Sequence, residues 1–255
     1  MYCRNFIGIV KLGKKGLVFF VTAFSFVVSH AQNIIWEDKK LNTAANSIYM
    51  QPEEREMIYE INRLRSDPPR YAKLFIAERL KEANRQLEKY GKGYKNYSLT
   101  TSYTDNVKTK TDTTWHYENE EKVKALQTLF DTLLRLKPLR ILQPEKGIYK
   151  ACQKHAADQA VNKEVNHRGN DGSWPWDRIK KNSPRMEDGN ENIAFNSGIA
   201  TPGDIVLQLL IDSGISDYGH RYNMLNAQWT HVACYYTKKP GWSSKWWIQN
   251  FGKSK

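Results

Sequence analysis

The stretch from residue 201 to residue 236 constrains the fold most, because its apolar period changes from that of a helix to that of a strand. It opens on TPGD at residues 201–204, which supplies a capping hydroxyl, a proline at the first helical position and an acid three residues after the threonine. We therefore expect a short apolar helix here, and the period of two that begins at Thr230 predicts a strand. His220 lies between these two elements, where a histidine is a candidate for chemistry.

The first 31 residues have the pattern of a secretory signal peptide. Four basic side chains precede an uncharged apolar run over residues 16–28, and SHA follows with small residues at its first and last positions. The run is shorter than a bilayer crossing. We therefore expect cleavage near Ala31, a protein secreted to the periplasm or the cell exterior, and no stable membrane insertion. An uncleaved membrane anchor is the alternative interpretation.

The chain is strongly basic, with a formal net charge of +12. Removal of the first 31 residues, which hold four basic and no acidic side chains, lowers this charge to +8. The charge favours acidic envelope surfaces or anionic lipid headgroups as weak partners. It does not predict nucleic-acid binding, because the sequence has no basic stripe with interleaved aromatic residues. Cys152 and Cys234 remain after cleavage, and the sequence leaves open whether they form a disulfide.

The mature chain divides by composition into an arm and one domain that carries an insertion. Residues 32–51 form a polar N-terminal arm, which we expect to pack loosely, and residues 52–255 form the domain. A polar insertion near residues 81–120 contains a stretch rich in Tyr, Ser, Thr, Asn and Lys, for which we predict a long loop with a little strand at most. Helical spacing returns after this insertion, and a hairpin is predicted at the C-terminus.

Three segments each place one strong polar group in an apolar or glycine-bounded setting, and they carry His167, Glu191 and His220. Imidazole nitrogens and carboxylate oxygens are ordinary ligands of zinc, so two histidines with water can hold a divalent ion loosely. The sequence contains no HExxH, paired CxxC or GxSxG motif, and we expect no organic cofactor. His155, on the inner side of a predicted helix, is either packed beneath this site or part of it.

Six segments in order resemble the CAP superfamily of cysteine-rich secretory proteins, antigen 5 and pathogenesis-related 1 proteins, in its bacterial SCP-like form. They read EINRLRSDPPRYA, KHAADQAV, NHRGNDGS, NENIAF, GHRYNMLNAQWTHVACYY and WWIQNFG. The similarity covers most of residues 52–255 and is broken by the polar insertion. The resemblance implies the α+β class, as a three-layer α-β-α sandwich with a central antiparallel sheet and a broad surface cleft.

In that family the cleft holds two histidines and two acids, and some members bind a divalent metal there. The resemblance assigns the histidines to His167 and His220, and it matches Glu191 to the first acid, which belongs to the GEN motif of the family. Asp212 is the counterpart of the second acid, with a shorter side chain, and Asp171 in the NDGS loop is a further acid that can face the cleft. From the residues alone, the alternatives are that Glu191 caps a turn and that His220 only fixes the corner.

Two functions fit such a cleft. The first is a secreted binding module that takes a small lipid, a peptide or an envelope polymer, with a divalent metal optional and zinc the expected ion. The residues expected along its groove are Arg221, Asn223, Asn192 and Trp174. The alternative is a metal-dependent, peptidase-like hydrolase in which Glu191 is the catalytic base for water. We favour the module, because two histidines are fewer than the three protein ligands usual at catalytic zinc.

Overall fold

The computed structural model describes residues 36–104, 107–161, 165–196, 200–215, 217–238 and 245–255. The predicted signal peptide and residues 32–35 of the arm lie outside these ranges, as does the tip of the C-terminal hairpin. Among the described residues, no helix is both long enough and apolar enough to cross a bilayer.

The first helix starts and stops at residues whose chemistry predicts its boundaries. The first begins with a proline and two glutamates, which complement the positive end of the helix dipole, and it ends before Asp67-Pro68. The helices of the described chain are α1 (Pro52–Ser66), α2 (Pro68–Tyr71), α3 (Ala77–Tyr90), α4 (Glu118–Arg135), α5 (Lys146–Val161), α6 (Pro175–Asn182), α7 (Pro202–Ile211) and α8 (Gly219–Leu225). Between α2 and α3, Ala72–Ile76 forms a π-helical turn.

The central sheet has four strands within the described residues, in the order β3-β5-β6-β4. The strands of the chain are β1 (Lys95–Thr104), β2 (Val107–Tyr117), β3 (Gln143–Pro144), β4 (Met186–Asn196), β5 (His231–Lys238) and β6 (Lys245–Ser254). The three long strands of the sheet pair antiparallel, and β3 adds a two-residue parallel pairing at one edge. The predicted strand after Thr230 and the C-terminal hairpin are therefore confirmed.

Helices cover both faces of this sheet. The Glu191 side chain of β4 contacts α5 and α6, whereas the neighbouring Asn192 side chain contacts α8. Successive side chains of a strand point to opposite faces, so α5 and α6 lie on one face and α8 lies on the other. Gln249 of β6 bonds Asn192 and also reaches Met57 of α1, which places α1 on the same face as α8. The predicted three-layer α-β-α sandwich is confirmed.

The insertion near residues 81–120 is more regular than predicted. Helix α3 continues to Tyr90, and the stretch predicted as a long loop is a hairpin in which β1 and β2 pair antiparallel, with one irregularity after Ser102. The prediction of a loop was therefore wrong. Threonine and tyrosine favour strands, but with so few aliphatic residues the stretch has no apolar alternation that would reveal them.

The N-terminal arm packs against the domain over residues 36–51, where loose packing was expected. Its buried apolar side chains are Trp36, Leu41, Ala44 and Met50. Asn62 of α1 is fully buried, and its Nδ2 donates to the Leu41 carbonyl at 3.0 Å. The few apolar residues of the arm are spaced so that they reach the core, although most of the segment is polar. Its average composition therefore does not predict this packing.

Within the described chain, Cys152 and Cys234 are buried free thiols, which answers the question of pairing that the sequence left open. The Sγ atom of Cys152 donates to the Ala233 carbonyl at 3.5 Å, so helix α5 contacts strand β5 here. Burial raises the pKa of both thiols well above the ordinary value, which disfavours the reactive thiolate. We therefore assign both cysteines to packing.

Candidate functional site

Two imidazole–carboxylate pairs form the core of the candidate site. His167 Nδ1 lies 3.1 Å from Glu191 Oε1, and His220 Nδ1 lies 2.7 Å from Asp212 Oδ1. Both histidines use Nδ1 in these contacts, so each ring is oriented by an acid and directs its Nε2 atom away from that acid. The four residues assigned by resemblance to the cleft are therefore brought together as two pairs.

The first pair is built around a buried carboxylate on β4. The Glu191 side chain is 0% exposed, and Arg178 of α6 donates through one terminal nitrogen to Oε1 at 3.1 Å and to Oε2 at 2.9 Å. Burial raises the pKa of this carboxyl, but the hydrogen bond from His167 and the electrostatic effects of His155 and Arg178 outweigh it, so the pKa is lower than usual. Glu191 therefore stays ionised inside the protein.

Sequence reasoning missed Arg178. The side chain is 1% exposed, and Pro175, Arg178 and Ile179 are all buried on one face of α6. This spacing of three and four residues was visible in the sequence, and an arginine on such a face needs an acid or several carbonyls as partners. Glu191 stands immediately before an apolar run, where a buried carboxylate is costly without a partner, and Arg178 is that partner.

The loop between α5 and α6 carries His167 and is stabilised by hydrogen bonds between its own residues. The Asn166 Oδ1 atom accepts from the Arg168 backbone N–H at 2.8 Å and so closes a turn across His167. Asp171, the further acid that can face the cleft, accepts from both the backbone and the hydroxyl of Ser173 and pairs with Lys154 at 3.0 Å. These partners lower the pKa of Asp171, and they give it a part in shaping the loop.

The second pair is built at the end of α7, where the predicted helix and its capping box are confirmed. Asp212 follows the last helical residue in the left-handed conformation, with φ 57°. Its Oδ2 accepts from the His220 backbone N–H at 3.0 Å while its Oδ1 holds the ring. One carboxylate thus fixes both the start of α8 and the orientation of the His220 imidazole.

Strand β4 connects the two pairs. The Asn192 Nδ2 atom donates to the His220 carbonyl at 3.1 Å, and Asn223 Nδ2 donates to the Glu191 carbonyl at 3.2 Å. Glu191 therefore holds the His167 imidazole through its side chain, and Asn192 contacts α8, the helix that carries His220. Because β4 is the edge strand of the sheet, the site lies at this edge, where the imidazoles of His167 and His220 are 39% and 22% exposed.

The residues expected along the groove have mixed environments. Arg221 is 4% exposed and donates to the carbonyls of Leu210 and Ile211, which gives it a structural role at the end of α7. Asn192 is fully buried, whereas Asn223 is half-buried beside it. Trp174 is half-buried and stacks on Trp176 with 5.5 Å between ring centroids. Of this set, only Asn223 and Trp174 retain exposed surface that a ligand could contact.

Two observations bear on whether these residues could hold a divalent metal. Histidines that bind metal through one nitrogen usually donate the other N–H to a carboxylate or a carbonyl, which is how His167 and His220 use Nδ1. Neither Nε2 atom has a hydrogen-bond partner within the described ranges. No group of three or more His, Cys, Asp or Glu side chains in that part of the chain is arranged to hold an ion.

The chain is thus an α-β-α sandwich whose sheet edge carries two imidazole–carboxylate pairs. The model of the cysteine-rich secretory protein family (CAP) matches residues 58–251, and the chain belongs to this family. No curated protein matches the sequence significantly.

Two solved structures are similar to the chain. An outer surface protein from Borrelia burgdorferi has 20% identity and a TM-score of 0.38, over 52% of this chain and 94% of its own. An extracellular protein containing an SCP domain from Bacillus anthracis has 14% identity and a TM-score of 0.37, over 68% of this chain and 71% of its own.

Replacing Asp212 with asparagine tests the second pair. Asparagine tolerates the left-handed conformation and keeps one acceptor oxygen, so we expect the free energy of unfolding to fall by only about 1–2 kcal/mol. The loss of charge behind His220 should weaken zinc binding about 10- to 100-fold, as measured by calorimetry. Asp217→Asn, at an exposed acid in the same connection, is the matched control. Equal zinc affinity in Asp212→Asn and wild type would argue against an orienting role.

Proposed function

We propose that this protein is an exported binding module whose sheet-edge cleft holds a divalent metal ion, with zinc the preferred ion, between His167 and His220. The observation that carries the proposal is the pair of Nδ1–carboxylate contacts, one on each side of β4. Each contact leaves an Nε2 lone pair for a ligand outside the pair. A bound zinc would act as a Lewis acid that attracts an anionic or carbonyl-bearing ligand.

Export is the second part of the proposal, and it rests on the first 31 residues, whose basic start, short apolar run and small terminal residues are typical of a cleaved signal. A protein outside the cytoplasm with a net charge of +8 meets acidic envelope polymers. The exposed ring of Tyr222 on α8 and that of Phe195 on β4 offer apolar surface on two of the elements that carry the site. We therefore propose an envelope polymer, a peptide or a small lipid as the ligand.

A binding role is better supported than the alternative role as a hydrolase. Glu191, the expected catalytic base, is fully buried, and both of its oxygens accept from Arg178. The lowered pKa makes its carboxylate a weak base near neutral pH, whereas general bases work best with a pKa near the working pH. We therefore assign Glu191 to the orientation of His167.

Zinc titration by calorimetry tests the proposal. We expect one zinc per wild-type chain, and we expect His167→Ala and His220→Ala each to weaken binding by at least about tenfold, because each removes one of the two protein ligands. His231→Ala is the matched control: His231 starts β5, which β6 separates from β4, and its Nδ1 contacts Thr230. The proposal fails if the double variant His167→Ala/His220→Ala binds zinc as tightly as wild type does.

A further inference from the structure

The backbone on the N-terminal side of His167 is held by a glutamine of α5. Gln159 Nε2 donates to the Asn166 carbonyl at 2.7 Å, and Gln159 Oε1 accepts from the Asn166 N–H at 3.3 Å. One side chain therefore bonds both polar backbone groups of the residue that precedes His167. Gln159 is 2% exposed, so water does not compete strongly for these two bonds.

A histidine one helical turn earlier holds the same carbonyl. His155 is fully buried, and its Nε2 lies 2.7 Å from the Asn166 oxygen. A carbonyl oxygen only accepts, so Nε2 carries the proton. The Nδ1 atom has no hydrogen-bond partner within the described part of the chain. Burial lowers the pKa of His155, and the same Nε2 atom also lies 3.4 Å from Glu191 Oε1.

An arginine holds the backbone on the C-terminal side of His167. Arg178 donates through one terminal nitrogen to the His167 carbonyl at 3.0 Å, and through the other nitrogen to Glu191, which contacts the His167 ring. The backbone of His167 is thus fixed before and after the residue. The three side chains that do this come from α5 and α6, which pack on one face of the sheet, and not from the loop itself.

We propose that Gln159 and His155 are positioning residues for His167: by holding the Asn166 backbone, they place the imidazole with Nδ1–H toward Glu191 and Nε2 toward the cleft. Without them, Glu191 would still be ionised beside Arg178, but the loop could rotate the ring away from it. The positioning role itself needs only the protein. Its consequence for zinc rests on the proposed function.

The test measures the ring nitrogens of His167 by ¹⁵N NMR in the full mature chain, with His167→Ala used to assign the signals. In wild type we expect the neutral ring to carry its proton on Nδ1. Gln159→Met keeps the side-chain volume and removes both bonds, so we expect mixed tautomers and zinc binding about tenfold weaker. Gln153→Met, at an exposed glutamine of the same helix, should leave the ring-nitrogen signals of His167 and the zinc affinity unchanged.

A second pair of variants separates positioning from simple packing. His155→Gln keeps a donor for the Asn166 carbonyl and should retain the wild-type tautomer of His167, whereas His155→Leu should lose it. A wild-type ring with its proton on Nε2, or a folded Gln159→Met and His155→Leu with unchanged ring signals, would overturn the proposal. If the tautomer changes as expected but wild type binds no zinc, the positioning role stands and the proposed function fails.

Discussion

Arg178→Met is expected to lower the free energy of unfolding by about 3–5 kcal/mol, because it leaves the Glu191 carboxylate buried without its guanidinium partner. The replacement has similar length and is apolar, so little packing is lost. The remaining bond from His167 reaches only one of the two oxygens. The Ser173 and His167 carbonyls also lose the donor that holds the loop, which adds to the effect.

Urea denaturation measures this loss. Arg185→Met is the matched control, since Arg185 is 58% exposed and lies 3.7 Å from Glu145, a contact that contributes less than about 1 kcal/mol. The double variant Arg178→Met/Glu191→Met should recover part of the loss, because it removes the buried charge as well as its partner. A single Arg178→Met variant as stable as the Arg185→Met control would show that the buried pair has no role in holding the site.

Gly189→Ala is expected to be the second most disruptive change. A Cβ atom at this position would lie 2.5 Å from Ile179 Cδ1 and 2.7 Å from the Phe251 carbonyl oxygen. The oxygen belongs to the paired strand β6 and cannot move alone, so overpacking should reduce stability by about 1–3 kcal/mol. Because Ile179 follows Arg178 in α6, a displaced helix should also loosen the contact with Glu191.

Thermal and urea unfolding, combined with zinc titration, check this expectation. Gly203→Ala is the control, since a Cβ atom there would meet only ordinary contacts at 3.7–3.8 Å in the first turn of α7. That variant should be neutral or slightly more stable, because alanine restricts the unfolded chain more than glycine does. If Gly189→Ala is as stable as Gly203→Ala and binds zinc as well as wild type, the close packing of α6 on β4 is unimportant.

Much of the fold follows from local signals in the sequence. The capping box at Thr201 and Asp204 and the change to a period of two after Thr230 gave α7 and β5. The candidate site was located through the order of six motifs rather than through spacing, because His167, Glu191, Asp212 and His220 come from separate elements. Only the packing of the sheet and its helices determines how they pair.

What the sequence did not reveal depends on tertiary contacts. Arg178 lies on a helix whose buried face is short, and its carboxylate partner is 13 residues away on a strand. The two strands of the hairpin of residues 95–117 pair mainly with each other rather than with the rest of the domain. The sequence of the hairpin therefore shows no alternation of apolar residues that would predict strands. Asp171 accepts two hydrogen bonds from Ser173 within its own loop, a pairing that residue type alone does not predict.

The central claim is that two imidazoles, each oriented by its own acid, share one cleft at the edge of β4. A crystal structure of the mature chain with zinc tests it most directly. We expect one zinc ion bonded to Nε2 of His167 and to Nε2 of His220, with both distances at about 2.0–2.1 Å and with water in the remaining positions. Zinc bound to only one of the two rings, or to neither, would contradict the account.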